Sequence, residues 1–139
     1  MTEKNKKSNI DEELSRAETA LGAADLLEAN GYLNEAVSRL YYYLLYEIRA
    51  LLLTEGLEPK SHEGALRLFS LHFVKNGPFA SDSSHTFSKL MKYREEADYN
   101  PSYSFAKADF QKLREETRGL AGQINDYLTE KGYRQATSS

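Results

Sequence analysis

The last third of the chain places Ala106, Phe110, Leu113, Thr117, Leu120, Ile124 and Tyr127 at alternating steps of four and three. That spacing keeps one side of an α-helix largely apolar for about six turns. A stripe of this length must lie along other helices, and the four–three rhythm is that of the seam between antiparallel helices in a bundle. No segment shows the alternating pattern of a strand. The sequence therefore predicts an all-α fold: an antiparallel up-and-down helical bundle of about five helices, the last from about Phe105 to Lys131. Gly119 and Gly122 lower its helix propensity and would permit close packing.

The other four helices read as follows. The first runs from about Asp11 to Asn30, capped by Ser8 or Asn9, with Leu14, Ala17, Leu21, Ala24 and Leu27 on its apolar face and Asn30-Gly31 as a stop. The second runs from about Leu33 to Glu55. One stripe is Val37, Leu40, Tyr41, Leu44, Ile48 and Leu51, and a second is Arg39, Tyr42, Tyr43, Tyr46 and Arg49. A helix apolar or aromatic on nearly all sides lies at the centre of a bundle or meets a second chain. After the Pro59 connector, the third runs from about Ser61 to Lys75 with Ala65, Leu68, Phe69, His72 and Phe73 turned inward, and Asn76-Gly77-Pro78 ends it. The fourth runs from about Ser84 to Asp98, capped from the polar loop 81–84 and ended by Asn100-Pro101-Ser102.

At 139 residues the chain fits one domain. We place it at residues 10–132, between flexible tails at 1–9 and 133–139. The absence of cysteine removes disulfides, thiol nucleophiles and zinc ribbons. A net charge of −3 argues against broad, nonspecific nucleic-acid binding and leaves room for a local basic pocket. The most apolar run, Leu40 to Leu53, is broken by Glu47 and Arg49, so no membrane span is expected. The first residues lack the apolar core of a secretory signal, and a cytoplasmic protein is expected. Ten tyrosines without a tryptophan favour interfaces and half-buried sites.

The chain has no Gly-rich phosphate loop, no Walker lysine, no His-Glu-x-x-His and no Glu-x-x-His helix. Neither a metal nor a cofactor is expected. Four features remain. Arg94 and Asp98 extend the stripe of Phe87, Leu90 and Met91, followed by Tyr99. A charge at a core position needs a partner or a role that justifies its burial. It is either one half of an ion pair that fixes helix packing or an arginine that binds phosphate, oriented by Asp98. The face carrying Arg39, Tyr42, Tyr43 and Tyr46 is either a packed aromatic helix or a partner surface. Lys60-Ser61-His62 opens a helix whose free amides suit a phosphate, or is a solvated, capped turn. His72 reads as a hydrogen-bonded core or interface histidine.

In order, Gly31-Tyr32-Leu33-Asn34-Glu35-Ala36-Val37-Ser38-Arg39-Leu40-Tyr41-Tyr42, Ala50-Leu51-Leu52-Leu53, Lys60-Ser61-His62, Phe69 with Phe73-Val74-Lys75-Asn76-Gly77, and Arg94-Glu95-Glu96-Ala97-Asp98-Tyr99 resemble the motifs of prokaryotic HEPN-domain proteins of the UPF0332 type. The resemblance covers about residues 10–130. It implies an antiparallel helical bundle, often a homodimer. It also implies a place beside a minimal nucleotidyltransferase in a toxin–antitoxin pair, with the HEPN protein usually the toxin. Many members are metal-independent ribonucleases that use Arg-x(4–6)-His across the dimer interface. There arginine would stabilise the phosphorane and histidine would move protons.

This chain departs from that pattern, because Tyr99 stands after four intervening residues and no histidine follows Arg94. A phenol is a poor general base at neutral pH. In some pairs the transferase adenylylates a tyrosine near the motif, and Tyr99 and Tyr103 lie in that region. The resulting expectation is a toxin-like HEPN homodimer that binds nucleotide or RNA phosphate. Arg94, Asp98 and Tyr99 would form its catalytic or binding cleft, with Lys60 and His62 as further phosphate ligands and Arg39, Tyr42, Tyr43 and Tyr46 at the interface. The alternatives are a ribonuclease with a modified motif and a noncatalytic interaction module.

Overall fold

The computed structural model describes residues 2–135. They form α1 (Glu3–Ala29), α2 (Leu33–Leu53), α3 (His62–Phe69), α4 (Ser81–Tyr99) and α5 (Lys107–Glu130), and α3 runs on into a π-helical turn at Ser70–Lys75. No strand occurs among the described residues. The all-α bundle read from the sequence is the fold.

α1 and α2 are joined by three residues. The Tyr32 amide donates to the Leu27 carbonyl at 2.9 Å and the Gly31 amide to Glu28 at 3.0 Å. This reversal needs a left-handed residue, which Gly31 supplies at φ 82°. α2 then packs against α1, α3, α4 and α5. Fourteen of its 21 residues are buried, which explains why its sequence is apolar on almost every side. Residues 136–139, part of the expected C-terminal tail, lie outside the described residues.

Several boundaries differ from the sequence reading. α1 starts at Glu3 rather than near Asp11, and Thr2, not Ser8 or Asn9, caps it by accepting from the Asn5 amide at 3.1 Å. Its polar first turns are held by distant partners. Lys6 donates to the Thr54 carbonyl at 3.3 Å and the Tyr133 hydroxyl to Glu3 at 3.2 Å, while Ile10 is fully buried. α4 starts at Ser81, so the expected capping loop is its first turn. Ala106 is an exposed N-cap rather than a seam residue, and Ala121 and Leu128 complete the buried seam of α5. Gly119 and Gly122 face open space and serve no close contact.

His72 is exposed, not inward. The π-helical turn closes its hydrogen bonds over five residues, with the Asn76 amide donating to the Leu71 carbonyl at 3.2 Å. The wider turn rotates His72 outward while keeping Phe73 in the core. The chain then folds back so tightly that a Cβ on Gly77 would stand 2.6 Å from the Phe73 Cα.

The turn after α4 is fixed at both ends. Asn100 Oδ1 accepts from the Ser102 amide at 3.1 Å. Asn34, in the first turn of α2, donates through Nδ2 to the Tyr103 carbonyl at 2.7 Å and accepts at Oδ1 from the Phe105 amide at 3.2 Å.

Candidate functional site

Tyr41 lies at the middle of α2 and is fully buried. Its ring stacks on Phe87 of α4 at 6.0 Å and meets the His62 imidazole of α3 at 5.4 Å. Arg94, two turns further along α4, lays its guanidinium carbon 5.1 Å from the Tyr41 ring centre and 6.0 Å from that of Tyr99. A guanidinium over an aromatic face is an attractive arrangement. Arg94 is 8% exposed, and its Nη1 meets Asp98 Oδ2 at a long 3.4 Å. Its buried Nε has no hydrogen-bond partner among the described residues. The ion pair is therefore weak and incomplete, and the arginine is held more by stacking than by its carboxylate.

His62 is brought to the same platform from α3. It begins α3, where the Ser61 hydroxyl caps the helix by accepting from the Gly64 amide at 2.9 Å. Its ring touches both Tyr41 and Tyr42, the latter at 6.0 Å. Burial lowers its pKa from the ordinary value, and the positive charges of Arg94 and Arg49 act in the same direction, opposed by Glu63. Burial and both arginines thus favour the neutral form of the His62 imidazole. Burial also raises the Tyr41 pKa, against the pull of Arg94, so its phenol stays protonated.

The remaining expected residues divide clearly. Lys60 is exposed and lines a cleft of about 170 Å³ with Leu45, Arg49, Ser61 and His62. Arg39 is exposed above the Tyr42 ring at 4.9 Å, and Tyr42 and Tyr46 are half-buried on the same outward side of α2. Tyr43 is not with them. It is 5% exposed, and burial pushes its phenol up to about 12, with Glu47 adding to the shift. Tyr99 is 75% exposed, whereas Tyr103 is half-buried with its ring 5.7 Å from Phe105. Two members of this region escaped the sequence reading. Tyr41 read only as a core residue, and Arg49 read only as the end of an aromatic stripe. The approach of His62 to both has no sequence signal, because it depends on where α3 packs.

The fold and site together define a small helical bundle with an arginine, a histidine and tyrosines gathered along one central helix. The HEPN domain profile matches residues 10–126, and the chain belongs to the HEPN domain family. It is 29% identical over 125 residues to "Putative toxin MJ0142" of Methanocaldococcus jannaschii, covering 90% of this chain and 85% of that protein. It is 31% identical over 113 residues to a UPF0332 protein of Thermotoga maritima, covering 81% of this chain and 86% of that one. A second Methanocaldococcus jannaschii protein, "Putative toxin MJ0605", is 39% identical over 83 residues, 60% of this chain and 62% of that one. Among the described residues no helix is long and apolar enough to cross a membrane.

Proposed function

We propose that this protein is the toxin-like half of a toxin–antitoxin-type pair and binds the phosphate of RNA or a nucleotide at Arg94. The observation that carries this reading is Arg94 itself: a buried guanidinium braced on Tyr41, with an unpaired Nε and a long contact to Asp98. An arginine serving only to fix helix packing would be expected to satisfy its donors. Lys60 and His62 add positive charge and a hydrogen-bonding ring on the α3 side. The similarity to two proteins named as toxins supports the biological setting. A minimal nucleotidyltransferase is the proposed antitoxin partner, in the cytoplasm. The outward face of Arg39, Tyr42 and Tyr46 is the proposed contact between two copies. Of the two tyrosines near the motif, Tyr99 is the better acceptor for adenylylation because its exposed ring is open to an enzyme.

A second reading, ribonuclease activity, is favoured by the position of His62. It supplies an imidazole beside Arg94 although none follows it in sequence. Neutral His62 would take the proton of a ribose 2′-hydroxyl as that oxygen bonds to phosphorus. The phosphorus–O5′ bond then breaks, and the 5′-oxygen takes a proton from solvent water to leave as a hydroxyl. Arg94 would neutralise the charge gathering on the phosphoryl oxygens. Purified protein, incubated with RNA and EDTA beside a folded Arg94→Leu variant, tests both readings. Binding lost in the variant supports the phosphate site, and cleavage lost with it supports the ribonuclease. Equal binding by both proteins would remove Arg94 from the site.

A further inference from the structure

Arg49 is a basic residue of this region that lies outside the Arg94 motif and is held by a long ion pair. It lies on α2 eight residues after Tyr41, about 12 Å further along the helix axis. Among the described residues its one pairing is through Nε, with Glu13 Oε2 at 3.6 Å. Arg49 lines the cleft that also holds Lys60, Ser61 and His62. His62 lines this cleft, and its ring also meets Tyr41, on which Arg94 lies. Arg49 and Lys60 line the cleft at the capped start of α3.

We infer that Arg49 and Lys60 form a second phosphate subsite, so that the ligand is a nucleic-acid strand with one phosphate at Arg94 and another beyond His62. This rests on the Arg94 phosphate reading above. Two helical turns separate the levels of Tyr41 and Arg49 on α2. Anchors carried at levels so far apart favour phosphates on either side of a nucleoside over phosphoryl groups joined through one bridging oxygen, as in a nucleoside diphosphate. The His62 ring and the Tyr42 ring that it meets are half-buried and offer faces against which a base can stack. Glu13 of α1 holds Arg49 at Nε.

The test compares UMP with 2′-O-methyl hexauridylate, which cannot be cleaved through its 2′-oxygen, in wild type, Arg49→Gln and Lys60→Gln. Lys60 is exposed, so its variant keeps the test open if Arg49→Gln disturbs Glu13. The wild type should prefer the hexamer over UMP by about tenfold or more. Either variant should shrink that preference and flatten the salt dependence of hexamer binding by about one unit of slope. Equal binding of UMP and hexamer by the wild type would overturn the inference, as would an unchanged preference in both folded variants. In either case the Arg94 reading would stand if Arg94→Leu weakened both ligands. Failure of the wild type to bind either ligand would overturn both.

Discussion

The guanidinium of Arg94 rests 5.1 Å above the ring centre of Tyr41, so a charge on α4 is braced by a fully buried aromatic of α2. Replacing Arg94 with leucine keeps apolar bulk against that ring and removes a buried donor without a partner. Arg94→Leu should therefore fold with a stability change within about 1 kcal/mol, since lost stacking and relieved desolvation oppose each other. Its affinity for phosphate ligands should drop at least about tenfold. Thermal unfolding followed by circular dichroism, beside ligand titration, separates the two effects.

Ligand affinity should rise as pH falls below 7. His62 has a pKa below the ordinary histidine value, because burial and two arginines disfavour its charged form. A bound phosphodiester favours that form, so the complex takes up a proton and acid strengthens it. The free protein shows the opposite sign: a lowered histidine pKa gives stability that is present above pH 6.5 and lost as pH falls through the folded-state value. His62→Gln should flatten the pH dependence of affinity for 2′-O-methyl hexauridylate, whose internal phosphates do not titrate in this range. An unaltered slope in His62→Gln would remove His62 from the site.

Glu47 should make the fold weaker as pH rises. It is 3% exposed on α2, and burial raises its pKa from 4.5 to about 7, against the pull of Arg134 and a hydrogen bond from Asn125. The folded state then holds a proton that the unfolded state has released. This contribution is fully present below pH 4.5 and lost as pH climbs through about 7. The full swing is on the order of 3 kcal/mol. Glu47→Gln should be the more stable protein at pH 8, and chemical denaturation at pH 5 and pH 8 measures the difference.

Asn34 fastens the segment after the site with two hydrogen bonds, to the Tyr103 carbonyl and the Phe105 amide. Asn34→Ala should cost about 1–3 kcal/mol, since both backbone groups lose their partner in a partly buried place. The damage should be local, appearing first as faster proteolysis between residues 100 and 106.

Two glycines should respond oppositely to alanine. A Cβ at Gly122 meets nothing within 4 Å, so Gly122→Ala should stabilise α5 by up to about 1 kcal/mol. A Cβ at Gly77 would meet the Phe73 Cα at 2.6 Å and the His72 carbonyl oxygen at 2.7 Å. Gly77→Ala should therefore destabilise by about 1–3 kcal/mol, because backbone rather than a flexible side chain must move. Melting temperatures of the two variants give the comparison directly.

The bundle was legible because long apolar stripes at helical spacing have few ways to hide. The four–three rhythm of α5 and the two-sided character of α2 carried most of it. The first two turns of α1 were not legible, since Glu3 and Lys6 are secured by Tyr133 and Thr54, far away in the chain. The outward turn of His72 was hidden for another reason: a π-helical turn changes the rotation per residue without a distinctive composition. Arg94, Asp98 and Tyr99 share one helix, so local spacing was enough to group them. The meeting of His62, Tyr41 and Arg49 depends on how α3 lies across α2, which no local pattern encodes.

His62 and Lys60 ride on or beside α3, a helix of eight residues whose buried anchors are Gly64, Ala65 and Phe69. Arg94 and Tyr41 belong to longer helices at the heart of the bundle. Short elements with few buried anchors open more often than the domain unfolds. The His62 and Lys60 half of the proposed site can therefore come undone while the Arg94 and Tyr41 half holds. Phosphate binding at the proposed site should have a lower melting point than the protein itself, and warming should silence it well before the helices are lost.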